Sequence, residues 1–378
     1  MANPERLLAV VRWPLGGIRT YMRYVYGHLG RDWRVTILAA DVQEREALRE
    51  DAAALGAELI LAPASSMGFF QAVLRVLCQR RHDLIQSQGF ISAIATSAAN
   101  IFFGVPHVLT VHGILEDRLL QGVNGRIKRA VTSRVVRSVD VVYGVSEDIL
   151  EHLRQEVPGL VGSELRQVAI LNGIEPDIFL EPGQPGAFRK RNGLPDSLFL
   201  FGFLGRFMPQ KGFDKIIRAL AMLEQGGMSR DYRLVAVGSG DYRGQHERMA
   251  REMGVGHRIV FLPFQRNVAE IYRDLDAVLM PSNWEACPLQ PMEAMVSGVP
   301  VIVSDCIGLR EVARGTPAIT VPGGHPDGLA RAMEDLLRRD HRPVFTAFRQ
   351  EAAERFDVRR TAQKVAELFD RTVNRQSH

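Results

Sequence analysis

The 378-residue sequence has an ordinary globular composition, with 46% hydrophobic residues, 24% charged residues and a net charge of +4. It therefore predicts two or three domains with sizeable cores. The three cysteines, Cys78, Cys287 and Cys306, form no CxxC pair, which argues against a disulfide framework or a zinc site and favours a reducing cytoplasm. The first residues, MANPERLLAV, lack the charged-then-apolar layout of a signal peptide.

Seven strand-like runs alternate with helix-length segments in the first half of the chain. Several of these runs are continuously apolar, as expected for parallel strands that are buried on both faces. The longest stretch without a formal charge, 84–111, contains many polar residues. Since a membrane span needs about 20 mostly apolar residues, we interpret this stretch as core. The predicted strands are Arg6–Val11, Val35–Ala39, Glu58–Leu61, Asp83–Gln86, His107–Val111, Val139–Tyr143 and Gln167–Leu171.

The alternation pauses at residues 181–196, EPGQPGAFRKRNGLPD, whose proline, glycine and charge predict a linker or a long ordered connection. It then restarts, and the two halves predict an α/β fold with two Rossmann-like, doubly wound domains facing a central cleft. Ligands of such sheets bind at the carboxyl ends of the strands. The second set of predicted strands is Leu198–Leu204, Arg233–Val237, Arg258–Leu262, Ala277–Met280, Pro300–Val303 and Ala318–Val321.

A basic segment lies within 118–139, where six cations occur without an acidic residue. Several of them recur at helical spacing. The segment is either the solvated face of a surface helix or a surface that binds an anion electrostatically. That anion would be a lipid or an acidic acceptor. Aromatic residues are not interleaved, which argues against binding of single-stranded nucleic acid. The cations are Arg118, Arg126, Lys128, Arg129, Arg134 and Arg137.

Three strand ends of the first half carry residues suited to binding or chemistry. Gly16 and Gly17 follow the first strand, where paired glycines let backbone N–H groups approach an anion, although turn glycines are also common without a ligand. His112 follows the strand HVLTV and could be structural or functional. Ser146, after VVYGV, is predicted to be a helix N-cap.

The strand ends of the second half carry cations and carboxylates. Arg206 and Lys211 follow FLFGFLG, and an arginine with a lysine suits a diphosphate. Glu285 and Glu293 lie in NWEACPLQPMEAM after the strand AVLMPS, where unpaired carboxylates would be costly to bury. The one DxD-like triplet, which begins at Asp274, is interpreted as a helix end and strand entry at the surface rather than as a magnesium site.

Taken in order, these motifs resemble those of the GT-B glycosyltransferases of family 4, which are retaining enzymes with nucleotide-sugar donors. The resemblance covers the chain from residue 6 to about residue 340 and is most specific toward the C-terminus. The motifs are Gly16-Gly17, His112-Gly113, Ser146-Glu147, Asn172-Gly173, Gly205-Arg206 with Lys211-Gly212, Gly238-Ser-Gly240, Pro281-Ser282, Glu285 with Glu293, and Gly298-Val-Pro-Val.

The resemblance implies roles for the residues of the second half. Glu293 would accept hydrogen bonds from the ribose hydroxyls of the donor, and Glu285 would face the donor sugar. Arg206 and Lys211 would neutralise the departing diphosphate. The backbone at Ala286, Cys287, Pro288 and Leu289 would contact the sugar and phosphate.

For the first half, the resemblance implies that Gly16 and Gly17 approach the diphosphate and that His112 lies beside the reacting sugar. The donor would be UDP-, GDP- or ADP-linked, with no metal or other cofactor, and the acceptor a glycan or a lipid-linked glycan. Implied domains are 1–178 on the acceptor side, 179–344 for the nucleotide-sugar, and 345–378 as C-terminal helices. The last helix would cross back to the first domain.

Two other functions remain open at this point: a nucleotide-sugar epimerase of the same architecture, and a non-catalytic partner protein. The basic segment fits a cytoplasmic protein that is peripheral to the inner face of the membrane, with a role in bacterial cell-surface polysaccharide or lipopolysaccharide synthesis.

Overall fold

The computed structural model describes residues 4–42, 45–115, 122–157, 160, 166–227 and 230–374, with the side chains at 122–124 and 126 excepted. The chain forms two compact units. Unit 1 comprises Met1–Gly173 with Val358–His378, and unit 2 comprises Ile174–Asp357. Every strand predicted from the sequence is present, with ends that differ by at most two residues.

Unit 1 is built on a sheet of seven parallel strands in the order β3-β2-β1-β4-β5-β6-β7. The order reverses between β1 and β4, which is where ligands bind in doubly wound sheets. The strands are β1 (Glu5–Val11), β2 (Trp33–Ala40), β3 (Glu58–Ala62), β4 (Leu84–Gln88), β5 (His107–Val111), β6 (Val141–Gly144) and β7 (Arg166–Ala169).

Helices follow six of these strands and cover the sheet. The fourth helix packs between the third and the fifth. The sixth begins at the predicted N-cap, Ser146, whose side chain accepts a hydrogen bond from the amide of Ile149. The helices are α1 (Gly17–Gly27), α2 (Arg45–Ala54), α3 (Ser66–Leu77), α4 (Phe90–Asn100), α5 (Gly122–Arg137) and α6 (Glu147–Glu156).

Unit 2 repeats the plan with six parallel strands in the order β10-β9-β8-β11-β12-β13, and the order reverses between β8 and β11. The strands are β8 (Phe199–Leu204), β9 (Tyr232–Val237), β10 (Ile259–Leu262), β11 (Ala277–Met280), β12 (Val301–Ser304) and β13 (Ile319–Val321). The helices are α7 (Pro176–Leu180), α8 (Ala187–Arg191), α9 (Phe213–Gln225), α10 (Arg243–Glu252), α11 (Val268–Asp274), α12 (Gln290–Val296), α13 (Leu309–Ala313), α14 (Pro326–Arg338) and α15 (Arg342–Arg355).

The segment predicted as a linker, 181–196, is an ordered part of unit 2 and contains α8. Its Arg189 is buried and donates to the backbone oxygen of Asp274 at 2.9 Å and to the carboxylate of Asp276 at 2.7 Å. Asp274 in turn accepts from the amides of Gly186 and Arg189. The prediction of a helix end before a strand is confirmed, but its placement at the surface is wrong for Asp274, which is only 5% exposed.

The last helix, α16 (Val358–Asn374), belongs to unit 1 and packs against α1. Its side chains Val365, Leu368 and Phe369 are buried. The ring of Phe369 meets Trp33 edge to face with centroids 5.4 Å apart, and the Trp33 indole donates to Asp370.

The interpretation of 84–111 as core holds for its two strands and for the buried side of α4, but it is wrong for the exposed side of α4 and the turn after it. Strands β4 and β5 are buried throughout, whereas Ile91, Ile94 and Ile101 are 55%, 42% and 75% exposed, as is Phe102 at 73%. Among the described residues, α4 packs against α3 and α5 and against the strands β1, β4 and β5. No helix in the described ranges has the length and apolarity that crossing a membrane requires.

Candidate functional site

The predicted site residues of unit 2 lie after β8 and β11, the two strands between which the sheet order reverses. Lys211 ends a short turn of 3-10 helix, Pro209–Lys211, which follows β8. Glu285 lies in the loop 281–289 after β11, called here the Glu285 loop, and Glu293 lies within α12, which begins where the loop ends. A parallel sheet thus brings together residues that are far apart in the sequence.

The Glu285 loop is fixed by backbone hydrogen bonds on both of its sides. The amide of Asn283 donates to the carbonyl of Gln210 at 2.7 Å, and the Gln210 side chain donates to the carbonyl of Trp284 at 3.0 Å. On the other side, the amide of Glu285 donates to the carbonyl of Ile307 at 3.0 Å. These bonds to both neighbouring segments fix the position of the loop, which is a form of preorganisation.

A buried ion pair forms the centre of this arrangement. The Lys211 ammonium donates to Oε1 of Glu285 at 2.7 Å, and the Ser282 hydroxyl donates to the same oxygen at 2.7 Å. The two charged side chains are only 16% and 7% exposed. Because a buried carboxylate is tolerated only when it is paired and hydrogen-bonded, the pair explains why Glu285 can lie in an apolar environment.

Close backbone packing against the Glu285 loop requires a glycine at position 308. Gly308 has a φ of +78°, and a Cβ there would lie 2.4 Å from the carbonyl oxygen of Glu285 and 2.6 Å from that of Ala286. We expect Gly308→Ala to displace the loop, lower the free energy of unfolding by several kcal/mol and abolish activity, because backbone cannot move aside as a side-chain end can. Urea titration and an activity assay measure both effects.

The matched control for this substitution is Gly254→Ala. Gly254 has a similar φ of +74°, but nothing lies within 4 Å of a Cβ placed on it. Gly254→Ala should therefore lower the free energy of unfolding only by the cost of an alanine in the left-handed backbone region, about 1–2 kcal/mol. It should retain activity. Equal losses of stability for the two variants would mean that the close contact with the Glu285 loop has no energetic weight.

Glu293 is a buried carboxylate whose one described side-chain contact is with a tyrosine. The Tyr272 hydroxyl donates to Oε2 of Glu293 at 2.8 Å, and the residue is 9% exposed. Burial raises the pKa of Glu293 from 4.5 to about 7, and the hydrogen bond from Tyr272 opposes that rise. Since no cation compensates its charge in the described structure, Glu293 has the properties of a group that awaits a hydrogen-bond-donating ligand.

The other predicted donor-binding residues of unit 2 have different environments. Arg206 is exposed and forms no ion pair with another described residue. Ala286 is half-buried and Cys287 is 6% exposed. Pro288 is buried and Leu289 is the N-cap of α12, which puts the start of the helix after Pro288.

In unit 1, His112 follows β5 and is held by a chain of buried polar side chains, called here the His112 network. The imidazole Nε2 lies 2.5 Å from Oε1 of Gln88, and the Gln88 amide donates to the Tyr26 hydroxyl at 2.7 Å. Tyr26 donates to Oε1 of Gln86 at 2.7 Å, and the Gln86 amide donates to Tyr21 at 3.1 Å. The Tyr21 ring also contacts the imidazole edge to face at 4.9 Å.

This network determines the protonation state of the histidine. Burial lowers the pKa of His112 to about 3, so the ring is neutral at physiological pH. Because Oε1 of Gln88 can only accept, Nε2 carries the proton and Nδ1 is left as an acceptor. A neutral imidazole with an acceptor nitrogen can orient a hydroxyl group, but it does not supply a positive charge.

We therefore expect His112 to remain in the neutral Nε2–H tautomer from pH 5 to pH 8. Long-range 1H–15N NMR of protein labelled at histidine measures the tautomer directly. Gln88→Leu should relax the tautomer preference because the acceptor is removed, while a titration of wild-type His112 near its usual pKa of about 6.5 would contradict the assignment.

Gly16 and Gly17 mark the start of α1 at the carboxyl end of β1. Gly16 is the N-cap residue with a φ of +56°, and nothing lies within 4 Å of a Cβ placed on Gly17. The first turn of α1 thus has open space on one side, as the approach of a ligand to its backbone amides would require.

The basic segment is a helix, α5, with its described cations exposed. Lys128, Arg129 and Arg137 point outward, and Arg129 forms an ion pair with Glu156 at 2.8 Å. The predicted Arg118 lies outside the described residues, as does the side chain of Arg126.

Sequence reasoning did not identify the groups that position the predicted residues. Tyr272 on α11 has no motif of its own, and Ser282 belongs to the Pro281-Ser282 motif but has no role assigned there. Gln86 and Gln88 left a signal in the strand LIQSQ, where two amides at i and i+2 lie on one face of a buried parallel strand. Polar residues in such a position must be hydrogen-bonded, which predicts a network.

Two family models match this chain. The model described as Glycosyl transferases group 1 matches residues 186–355, and that described as Glycosyl transferase 4-like domain matches residues 16–170. The matches fall in unit 2 and unit 1, respectively.

Curated relatives and solved structures agree with these models. The chain is 30% identical to a D-inositol 3-phosphate glycosyltransferase from Kribbella flavida over 72% of this chain and 67% of that protein. It is 29% identical to D-inositol 3-phosphate glycosyltransferase 2 from Catenulispora acidiphila over 82% and 76%. Its fold is similar to that of HepE from Anabaena, solved in complex with UDP-glucose, with a TM-score of 0.82, 20% identity and coverage of 97% and 99%. This chain is therefore a glycosyltransferase of the group 1 family, a GT4-type protein with the GT-B fold.

Proposed function

We propose that this glycosyltransferase moves a sugar from a nucleoside diphosphate donor to a glycan or lipid-linked acceptor with retention of configuration at the anomeric carbon. The observation that carries the proposal is the pairing of Lys211 with Glu285, together with the buried carboxylate of Glu293 in the first turn of α12. A cation and two carboxylates at the ends of β8 and β11 suit the diphosphate, the sugar and the ribose of one ligand.

Each residue of unit 2 has a role in this proposal that follows from its contacts. Glu293 accepts hydrogen bonds from the ribose hydroxyls, and this interaction favours the ionised form that burial disfavours. Lys211 is held by Glu285 until the diphosphate arrives, and it then shares its donors between the carboxylate and a phosphate oxygen. Exposed Arg206 adds a second, mobile cation.

The Glu285 loop contacts the donor sugar and phosphate through Glu285 and the backbone of residues 286–289. Oε1 of Glu285 is occupied by Lys211 and Ser282. The carboxylate also has a second oxygen. The second oxygen is the group that we assign to a sugar hydroxyl. The charge of the leaving group is balanced by Lys211 and Arg206, so the proposal requires no metal or other cofactor.

His112, as a neutral ring with Nδ1 as acceptor, orients a sugar hydroxyl and does not transfer a proton. For Gly16 and Gly17 the proposal keeps the diphosphate contact that the family resemblance implies. In the reaction, the bond from the anomeric carbon to the phosphate oxygen breaks and a bond to the acceptor oxygen forms on the same face. The acceptor proton passes to an oxygen of the departing diphosphate, which balances the step.

The acceptor and the cellular role are assigned from the surface of unit 1 and from the family. The exposed cations of α5 support a lipid-linked acceptor at the inner face of the cytoplasmic membrane. Such a glycosyltransferase would act in bacterial cell-surface polysaccharide or lipopolysaccharide synthesis, as a cytoplasmic protein that is peripheral to the membrane.

A thermal-shift screen with UDP, GDP and ADP and their sugars tests the donor assignment. One nucleoside diphosphate should stabilise the wild-type protein by several degrees and its sugar conjugate should do so further. The donor is then incubated without acceptor. Slow hydrolysis fits a transferase, a new sugar nucleotide would identify an epimerase, and the absence of stabilisation by any member of the panel would contradict a nucleotide-sugar donor.

A further inference from the structure

Polar and apolar residues are distributed on helix α4 in the reverse of the way they are on an ordinary surface helix. Its exposed face is apolar throughout, while the residues that it turns toward the sheet include Ser92, Thr96 and Ser97, each at most 8% exposed. Ser92 accepts from the amide of Arg12 and donates to the carbonyl of Gln88, and Thr96 donates to the carbonyl of Ser92. The exposed residues of the helix and the turn that follows it are Ile91, Ile94, Ala98, Ile101 and Phe102.

The neighbouring helix α5 has exposed apolar side chains of its own, and it also carries charge. Ile127 and Val131 are 57% and 39% exposed. They lie on the same helix as the exposed cations Lys128, Arg129, Arg134 and Arg137. Since α4 and α5 pack side by side, unit 1 presents one surface with an apolar stripe on α4 and cations on α5, called here the α4–α5 face.

We propose that the α4–α5 face docks this protein on an anionic lipid bilayer. The isoleucines and Phe102 enter the boundary between headgroups and acyl chains, while the cations of α5 bind phosphate groups of the lipids. Three exposed isoleucines and a phenylalanine on one helix and the turn after it exceed the scattered single apolar residues that most protein surfaces carry. Charge identifies the occupant, because α5 carries only cations and a bilayer with anionic headgroups complements them.

Self-association is a poorer fit to the same face. In a two-fold symmetric dimer built on the α4–α5 face, both copies would bring the cations of α5 into the same interface. Like charges that approach in an interface cost free energy. An anionic bilayer places no cations against those of α5, and its surface is large enough to cover the whole apolar stripe of α4.

The proposal deepens the proposed function by naming the partner surface of a lipid-linked acceptor, and only that choice of acceptor rests on it. Vesicle binding and donor binding are measured separately. If the protein binds a nucleoside diphosphate but no vesicle, the transferase proposal stands and the docking surface is overturned. If it binds vesicles but no nucleoside diphosphate, the docking surface stands and the transferase proposal is overturned.

Sedimentation of the full-length protein with vesicles of phosphatidylcholine and phosphatidylglycerol, and of phosphatidylcholine alone, tests the proposal. The variant Ile94→Asn with Phe102→Ser should bind the anionic vesicles about tenfold more weakly, because two inserted side chains are lost. Its control is Ile178→Asn with Phe264→Ser in unit 2, whose exposures of 45% and 68% match the 42% and 73% of the tested pair. The control should bind as the wild type does.

The charge on α5 is tested by Lys128→Ala with Arg134→Ala against Lys190→Ala with Arg248→Ala, which removes two exposed cations from unit 2. Only the first pair should lose about tenfold in binding to anionic vesicles. Equal binding of the wild type to neutral and anionic vesicles, or equal binding by Ile94→Asn with Phe102→Ser and its control, would overturn the proposal. So would self-association without lipid that this α4 variant abolishes, because the occupant would then be a second copy.

Discussion

Replacement of Glu293 by glutamine is expected to stabilise the ligand-free protein and, at the same time, to weaken its binding of a nucleoside diphosphate at least tenfold. Burial raises the pKa of Glu293 from 4.5 to about 7, which corresponds to about 3 kcal/mol against the ionised form. Glutamine has the same shape, can still accept from the Tyr272 hydroxyl, and carries no charge to desolvate. It lacks the two ionised oxygens that a ribose diol requires.

The pH dependence of this stabilisation follows from linkage. Between pH 4.5 and about 7 the native protein binds more protons at Glu293 than the unfolded chain does, so wild-type stability falls as the pH rises through this window. Above about pH 7 the penalty is constant. The advantage of Glu293→Gln should therefore be absent below pH 4.5, grow through the window and remain constant above it.

Urea titrations at several pH values measure the stability, and calorimetry with the nucleoside diphosphate measures the affinity. Ribose binding favours the ionised carboxylate, so wild-type binding near pH 6 should release protons, seen as a dependence of the binding enthalpy on the buffer. Glu293→Gln should show no such release. A loss of stability in this variant at pH 8 would contradict the assignment of Glu293 as a group kept for a ligand.

The strands and the positions of the chemical groups could be predicted from the sequence because both follow from local patterns. Continuous apolar runs with turn residues between them predict buried parallel strands, and the carboxyl ends of those strands collect ligand-binding residues. Glu285 and Lys211 were therefore predictable as site residues. Their direct contact was not, since it joins positions 74 residues apart and depends on the strand order of the sheet.

Helix α4 shows where such patterns give the wrong answer. Isoleucines at helical spacing ordinarily predict the buried face, yet Ile91 and Ile94 are exposed while Ser92 and Thr96 are buried. The small residues on the inner face allow α4 to approach the sheet closely, and the hydroxyl groups bond to the backbone at Gln88 and Ser92. The hydrophobicity pattern alone does not distinguish an α4 whose isoleucines face outward from one whose isoleucines face the sheet. Small residues can pack well both against the sheet and at the surface.

The ion pair at the centre of unit 2 provides a second prediction with a large effect. Lys211→Met is expected to lower the free energy of unfolding by about 3 kcal/mol, because it leaves the nearly buried Glu285 without its cation. Adding Glu285→Gln to this variant should restore most of the stability, since no unpaired charge remains and Ser282 can still donate to the amide oxygen. Glycosyl transfer should be lost in both proteins.

The value of this cycle is that it separates folding from function at one pair of residues. If Lys211 and Glu285 served only to pack the Glu285 loop, the doubly substituted protein would recover activity together with stability. If they hold the diphosphate and the sugar, the protein recovers its fold but neither kcat nor affinity for the donor, because the cation for the leaving group and the carboxylate for the hydroxyl are both absent. Urea titration, calorimetry and single-turnover transfer on the wild type and the two variants distinguish these outcomes. Recovery of donor binding in Lys211→Met with Glu285→Gln would exclude the pair from the donor site, since no other described ion pair lies between the turn after β8 and the Glu285 loop.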